Sequence, residues 1–237
     1  MKNTNKICFI TGASSGIGYA IAKALKQENY KLVLTARRED RLKELQTGEN
    51  VDILPGDLTS FDFQDKIENF IYDKFKRCDY LFNCAGSLVV GNIEEIDIDK
   101  MTEMLRLNIE STFRLTYKFL KRFKKQGSGH IINISSILGT KVRPGAGVYA
   151  ATKFAIEALS ESLRMELTGT NIQVSCIEPG LVMTELHKDY KVHPKDSMGI
   201  HNPLTVDNIV DAVKYIMSQP EHVRIPRLMI LPKDHNI

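Results

Sequence analysis

Two residues four apart, Tyr149 and Lys153, lie in the amphipathic stretch Val148–Leu167. On a helix they share one face. An ammonium beside a phenol favours the phenolate and lowers its pKa from about 10. Such a phenol can give a proton to a developing alkoxide, or take one from an alcohol, near neutral pH. Taken alone, the pair is an ordinary helix face, so its meaning depends on what surrounds it. A hydroxyl candidate stands upstream: Ser136 follows the apolar run His130–Ile134, with Ser135 as its competitor. Either could hydrogen-bond a substrate oxygen and stabilise charge forming there.

A second chemical signal lies near the start. The run Ile7–Thr11 leads into TGASSGIG, with Gly12, Gly16 and Gly18. This is not the common G-x-G-x-x-G spacing, but it keeps a strand, a glycine turn and a helix opening at the glycines. Glycines let the backbone approach a pyrophosphate, and the helix N-terminus offers free N–H groups and the positive end of its dipole. The cofactor-facing candidates here are Gly12, Ser14, Ser15, Gly16, Ile17 and Gly18. The next apolar run ends Thr35-Ala36-Arg37-Arg38. A dinucleotide without a 2′-phosphate usually meets Asp or Glu at this point. Here there is no carboxylate to repel a phosphate, and two guanidiniums could pair with one. NADP(H) is therefore the expected cofactor. The plainer alternative is that Arg37 and Arg38 open a surface helix and pair with Glu39 or Asp40.

The elements that must position these residues alternate along the chain. Short runs rich in Ile, Val, Leu and Phe occur at Ile7–Thr11, Leu32–Ala36, Val51–Leu54, Tyr80–Asn83, His130–Ile134, Gln173–Ile177 and Leu228–Leu231. They lack polar alternation, as strands buried on both faces do. Helical patterns separate them at Ile17–Gln27, Arg38–Leu45, Asp62–Phe75, Asp99–Lys125, Val148–Leu167 and Asp207–Met217. The expectation is one domain over residues 1–237, an α/β fold with a doubly wound, mainly parallel seven-stranded sheet and helices on both faces. The stretch His187–Pro203 reads as a long functional loop.

Composition excludes several alternatives. Hydrophobic residues make up 43% and charged residues 26% of 237 positions, enough for a sizeable core. The net charge of +3 does not mark a nucleic-acid or membrane binder. No apolar run is long enough to span a bilayer. The polar start MKNTNK runs into a short strand rather than a signal peptide. Cys8, Cys78, Cys84 and Cys176 form no C-x-x-C pair and read as buried free thiols in a reducing compartment, so a cytoplasmic location is expected. His187, His193 and His201 read as loop residues, and no metal site is expected.

The order of these motifs carries a resemblance. TGASSGIG, Asn83-Cys84-Ala85-Gly86, Asn108, Ser136, Tyr149-x-x-x-Lys153 and Pro179-Gly180 together resemble the short-chain dehydrogenase/reductase family from about Lys6 to the last strand. One departure is Cys84, where the family's run usually has a second Asn. The resemblance implies an NADP(H)-dependent oxidoreductase interconverting an alcohol and a carbonyl. It selects Ser136 over Ser135 by its spacing from Tyr149. It implies that Asn108 holds a water linking Lys153 to solvent, that Asp57 contacts the adenine with Leu58 beside it, and that Asn83, Ala85 and Gly86 steady the adenosine side. Pro179, Gly180, Val182 and Thr184 match positions around the nicotinamide. It also implies a homo-oligomer, a tetramer or dimer, through the helices Asp99–Lys125 and Val148–Leu167, whose Ala155, Leu159 and Leu163 lie beyond one stripe. An alternative from another class is a catalytically silent NADP(H)-binding sensor, which would typically have lost Ser, Tyr or Lys.

Substrate choice is expected in Ser87–Asn92, Leu138–Gly147 and His187–Pro203. The middle segment carries Lys141 and Arg143, and Arg143 is the candidate clamp for a substrate carboxylate. The plainer reading is that both are solvated loop charges. The run Ile177–Val182 and the tail Arg227–Pro232 are similar to a bacterial branch that acts on small 3-hydroxy acids such as serine. The substrate is therefore expected to be a small-molecule hydroxy acid, keto acid or aldehyde.

Overall fold

The computed structural model describes residues 6–188, 190 and 192–236. Two positions of the expected substrate loop, Asp189 and Lys191, lie outside them. Seven parallel strands form one sheet: β1 (Ile7–Thr11), β2 (Lys31–Ala36), β3 (Val51–Pro55), β4 (Tyr80–Asn83), β5 (Ser128–Ile134), β6 (Asn171–Pro179) and β7 (Arg227–Ile230). Their order is β3-β2-β1-β4-β5-β6-β7. The order reverses between β1 and β4, and a crevice opens there at the carboxyl ends of the strands, where ligands bind in such sheets.

The apolar runs form strands because both faces are covered. On one face Ile10, Leu32 and Ile132 pack with Ile21 and Leu25 of α1 (Gly16–Gln27), Leu42 of α2 (Glu39–Leu45), and Ile209 and Val213 of α8 (Val206–Met217). On the other, Phe9, Val33 and Leu81 pack with Ile67 and Ile71 of α3 (Phe61–Phe75), Phe119 and Phe123 of α5 (Thr112–Gln126) and Leu163 of α6 (Gly147–Glu166). Local chemistry sets the helix ends. Ser60 caps α3 by accepting from the Phe63 N–H, a Thr205–Asn208 capping box opens α8, and Gly127, at φ +82°, ends α5.

The single long helix expected over Asp99–Lys125 is not one regular helix. It is α4 (Ile98–Leu105), a π-helical turn Arg106–Ser111, and then α5. The expected loop also has order: a 3₁₀ turn at Glu185–His187 and a short helix α7 (Pro194–Ser197). Leu163 is buried in the core beneath α6, and Leu159 packs against that core while half-buried. The large exposed apolar side chains on these helices are Ile98, Tyr117, Phe154 and Met165.

Candidate active site

The turn after β1 is built by close backbone approach. Gly12 has φ +66°, and a Cβ there would lie 2.8 Å from both the N and Cα of Ala85. A Cβ on Gly18 would lie 2.6 Å from the Gly12 carbonyl oxygen. The turn is thus pressed on one side against the end of β4 and on the other against α1. Thr11 locks the junction: its hydroxyl accepts from the N–H groups of Cys84 and Ala85, both at 3.0 Å, and donates to the Phe82 carbonyl at 3.2 Å. Ser15 makes no side-chain cap on α1, and the first turn carries no acidic residue. The positive end of that helix is left available to an anion.

Beside this turn the two arginines diverge. Arg38 donates from Nε to the Ser14 hydroxyl at 3.2 Å and pairs through Nη1 with Glu185 at 2.8 Å. Arg37 is exposed. The alternative pairing of these arginines with Glu39 or Asp40 is not seen; Glu39 pairs with Lys43. Asp57 is exposed and accepts from the Thr59 N–H at 2.9 Å, whereas the Leu58 side chain is buried in the core. Asn83 points inward: its amide donates to Thr116 at 3.1 Å and Asn133 at 2.8 Å, and Asn133 donates on to Ser160 at 2.9 Å. That places its side chain in the clasp between β4, β5 and the flanking helices, while Ala85 and Gly86 remain at the crevice.

The end of β5 and the start of α6 bring together Ser136, Tyr149 and Lys153. Tyr149 is 8% exposed and Lys153 9%. Lys153 donates to the Ile134 carbonyl at 2.9 Å, and its Nζ stands 5.6 Å from the Tyr149 ring centre. Burial pushes the Tyr149 phenol up to about 12, opposed by the nearby Ser136 hydroxyl. This corrects the expectation that the neighbouring ammonium would pull the phenol below its ordinary value. Burial also lowers Lys153 to about 8, because a low-dielectric surround disfavours its charge. Ser136 also accepts from the Leu138 N–H at 3.1 Å. Ser135 turns the other way, its hydroxyl buried beside Glu157 and Gly139.

Asn108 sits in the π turn and is 3% exposed. Its amide exchanges two hydrogen bonds with the Ser87 backbone, both at 2.9 Å, and donates to Thr152 at 3.3 Å. It lines, with Lys153, Thr112 and Asn133, a cavity of ≈ 10 Å³, about the space one water requires.

Above these residues is a second, open cleft of ≈ 240 Å³ lined by Val90, Asn92, Arg143, Tyr190 and Ser197 among others. Arg143 and Lys141 differ in placement. Lys141 is exposed, whereas Arg143 is half-buried, reaches the Met198 sulfur at 2.9 Å and is close enough to Tyr149 to act on its charge. His187 and His193 face each other at 5.6 Å, and His187 faces Tyr190 at 5.7 Å. Among the described residues, no group of three or more His, Cys, Asp or Glu is gathered as for a metal ion.

Comparison with known proteins decides the family. Residues 6–195 match the short chain dehydrogenase family. The chain belongs to the short-chain dehydrogenases. An uncharacterized oxidoreductase of Staphylococcus epidermidis is 35% identical over 233 residues, 98% of this chain and 99% of the relative. The closed form of a serine dehydrogenase complexed with NADP+ superposes with a TM-score of 0.88 at 29% identity, covering 94% of each chain. An alcohol dehydrogenase from the archaeon Thermococcus sibiricus, complexed with 5-hydroxy-NADP, gives 0.86 at 28% identity over 98% of each.

Within this short-chain dehydrogenase, several contributors escape a reading of the sequence. Thr11 is visible only as a polar residue closing an apolar run. Thr152, which supports Asn108, and Glu185, which engages Arg38, lie far from their partners along the chain. The tail also closes on the site: a Cβ on Gly180 would lie 2.6 Å from Nδ1 of His235, and Asp234 accepts from the His201 N–H at 2.7 Å. Val182 is buried, and its backbone bridges to Leu204. Thr184 lies against Gly16, whose Cβ would meet it at 3.4 Å.

Proposed function

We propose that this chain is an NADP(H)-dependent dehydrogenase that interconverts a hydroxyl and a carbonyl on a small polar or acidic substrate. The observation that supports it most is the buried Tyr149 phenol beside the Ser136 hydroxyl, one helical turn from Lys153, at the carboxyl edge of the sheet next to the glycine turn. A phenol near 12 stays protonated at neutral pH and is set to donate its proton to a substrate oxygen. Lys153, still largely charged at neutral pH, favours the phenolate left behind. Ser136 steadies the same oxygen, and Asn108 borders the small cavity through which the lysine can be reprotonated.

The residues present fit the dinucleotide. The uncapped start of α1, the left-handed Gly12 and Gly16 and the serines between them suit a pyrophosphate. Gly12, Ser14, Ser15, Gly16, Ile17 and Gly18 would hold it, Arg38 would take the 2′-phosphate with Arg37 at the rim, and Asp57, Leu58, Ala85 and Gly86 would border the adenosine. Pro179, Gly180, Val182 and Thr184 would border the nicotinamide, joined by Tyr149 and Lys153. NADP(H) supplies or accepts the hydride; the chain's own residues orient the reactants and move the proton.

The half-buried Arg143 at the cleft supports a substrate that carries a carboxylate. The serine dehydrogenase likeness points the same way. We expect the enzyme to act as a tetramer or dimer in the cytoplasm, with exposed Tyr117 and Phe154 at subunit contacts. A panel of alcohols and carbonyls with NADP+ and NADPH tests the reading. Turnover of small hydroxy acids or their carbonyl partners is expected, with Arg143→Met raising KM for acids about ten-fold and sparing neutral substrates. Turnover confined to bulky apolar ketones or steroids would overturn the substrate assignment.

A further inference from the structure

Lys153 has a buried neighbour that the proton step above does not use. Glu157 lies one turn beyond it on α6, so Tyr149, Lys153 and Glu157 occupy one helix face. Glu157 is only 7% exposed and Glu178 of β6 only 1%. Both carboxylates converge on a single guanidinium: Arg227 Nε stands 2.5 Å from Glu178 and 3.4 Å from Glu157. Neither Glu157 oxygen forms a well-aligned hydrogen bond among the described residues. Gly139 presses on this carboxylate, since a Cβ there would lie 3.0 Å from Glu157 Cγ and 2.9 Å from the Ser135 hydroxyl.

The charges do not balance around Arg227 alone. Two buried carboxylates share one cation, and an unbalanced buried charge is costly. The next cation along the helix is Lys153. Facing Glu157 are Ser135 from the end of β5, Cys176 and Glu178 from β6, Arg227 from β7 and Lys153 from α6 itself. Burial raises the Glu157 carboxyl, with Glu178 adding to it; burial lowers Lys153, and Cys84, Cys176 and Glu157 oppose that shift. Burial raises the Cys84 and Cys176 thiols to about 12, so they stay neutral where Lys153 titrates, which leaves Glu157 as the carboxylate that opposes the loss of its charge.

We propose that Glu157 is a positioning residue for the active-site charge: its buried carboxylate keeps Lys153 protonated from within the protein and touches no substrate. This rests on the Tyr149–Lys153 reading above. If ionised Glu157 is lost, Lys153 loses a proton at lower pH, and the phenolate loses its stabilising cation there. The carboxylate of Glu178 cannot replace it, because Arg227 already engages that side chain more closely.

The test is the pH profile of kcat/KM for carbonyl reduction by the intact enzyme, measured for wild type, Glu157→Gln and Glu157→Asp. The alkaline limb should move to lower pH by about half a unit or more in the Gln variant, with the Asp variant in between. Unfolding temperature against pH gives a readout without turnover. Lys153 has a folded pKa below its unfolded one, so the unfolded chain binds the extra proton and stability rises with pH between about 8 and 10. That rise should begin at lower pH in Glu157→Gln. A folded Gln variant whose limb and stability profile both match wild type overturns the proposal, as does a change in unfolding temperature uniform across pH with an unmoved limb. Should the Gln variant not fold, the Asp variant carries the test, because it keeps the charge but withdraws it by one methylene. A wild type with no turnover of any panel member, or none dependent on Lys153, overturns both readings. An active wild type with an unmoved Glu157→Gln limb overturns only this one.

Discussion

The two flanks of the crevice are made of different material. On the flank between β1 and β4 the chain presents backbone: glycines at positive φ, an uncapped helix start, and Thr11 tying one strand end to the next. On the flank between β5 and α6 it presents buried side chains whose ionisation is shifted by their surroundings. A backbone surface binds phosphate through N–H groups that any residue carries, so it depends on conformation. A side-chain surface depends on identity. The same substitution logic therefore has opposite consequences on the two flanks: one loses binding and stability, the other loses chemistry.

The sharpest break of that contrast is Tyr149→Phe. It should reduce turnover by at least ~100-fold while leaving the dissociation constant for NADPH nearly unchanged, as measured by fluorescence titration. Comparable loss of binding would mean the side-chain flank is also part of the cradle's structure. Next comes Gly12→Ala. The new Cβ would meet the Ala85 backbone at 2.8 Å in a conformation with φ +66°. Unfolding measurements should show a loss of about 1–3 kcal/mol, and weaker binding of both NADPH and NADH. Unaltered stability would show that the β4 end can give way. The smallest effect lies where the flanks meet. Arg38→Ala should weaken NADPH about ten-fold relative to NADH, and Arg37→Ala should do much less, because only Arg38 reaches the turn. Equal effects of the two would remove the distinction.

The strands were legible in the sequence because a parallel sheet covered on both faces needs continuous apolar runs, and each of the seven runs coincides with a strand. Their ends were less so. β6 extends to Asn171–Pro179, beyond the apolar Gln173–Ile177, because pairing with β5 and β7 carries polar residues such as Glu178 into the sheet. The order and spacing of the site motifs indicated the family. What spacing cannot carry is direction and burial. Arg37 and Arg38 are equivalent as letters, yet the strand end turns only one of them inward. The Tyr149 phenol rises rather than falls because a four-residue interval says nothing about how much water is removed. Glu157 reads as an ordinary helix-surface glutamate until the sheet closes over it.

The π turn at Arg106–Ser111 has a consequence for how this chain tolerates change. Each helical residue advances the side-chain direction by about 100°, so one extra residue in a turn sets the second half of the helix out of phase with the first. The two halves answer to different neighbours. Met104 accepts from the Val89 N–H and Asn108 from the Ser87 N–H, while Leu115, Phe119 and Phe123 face the sheet. Deleting a single residue here would give a more regular helix, yet it would swing the three core side chains away from β1 and β4. The irregularity acts as a phase setter between chemistry and core, and length variation in this family member is better placed in its loops than in that helix.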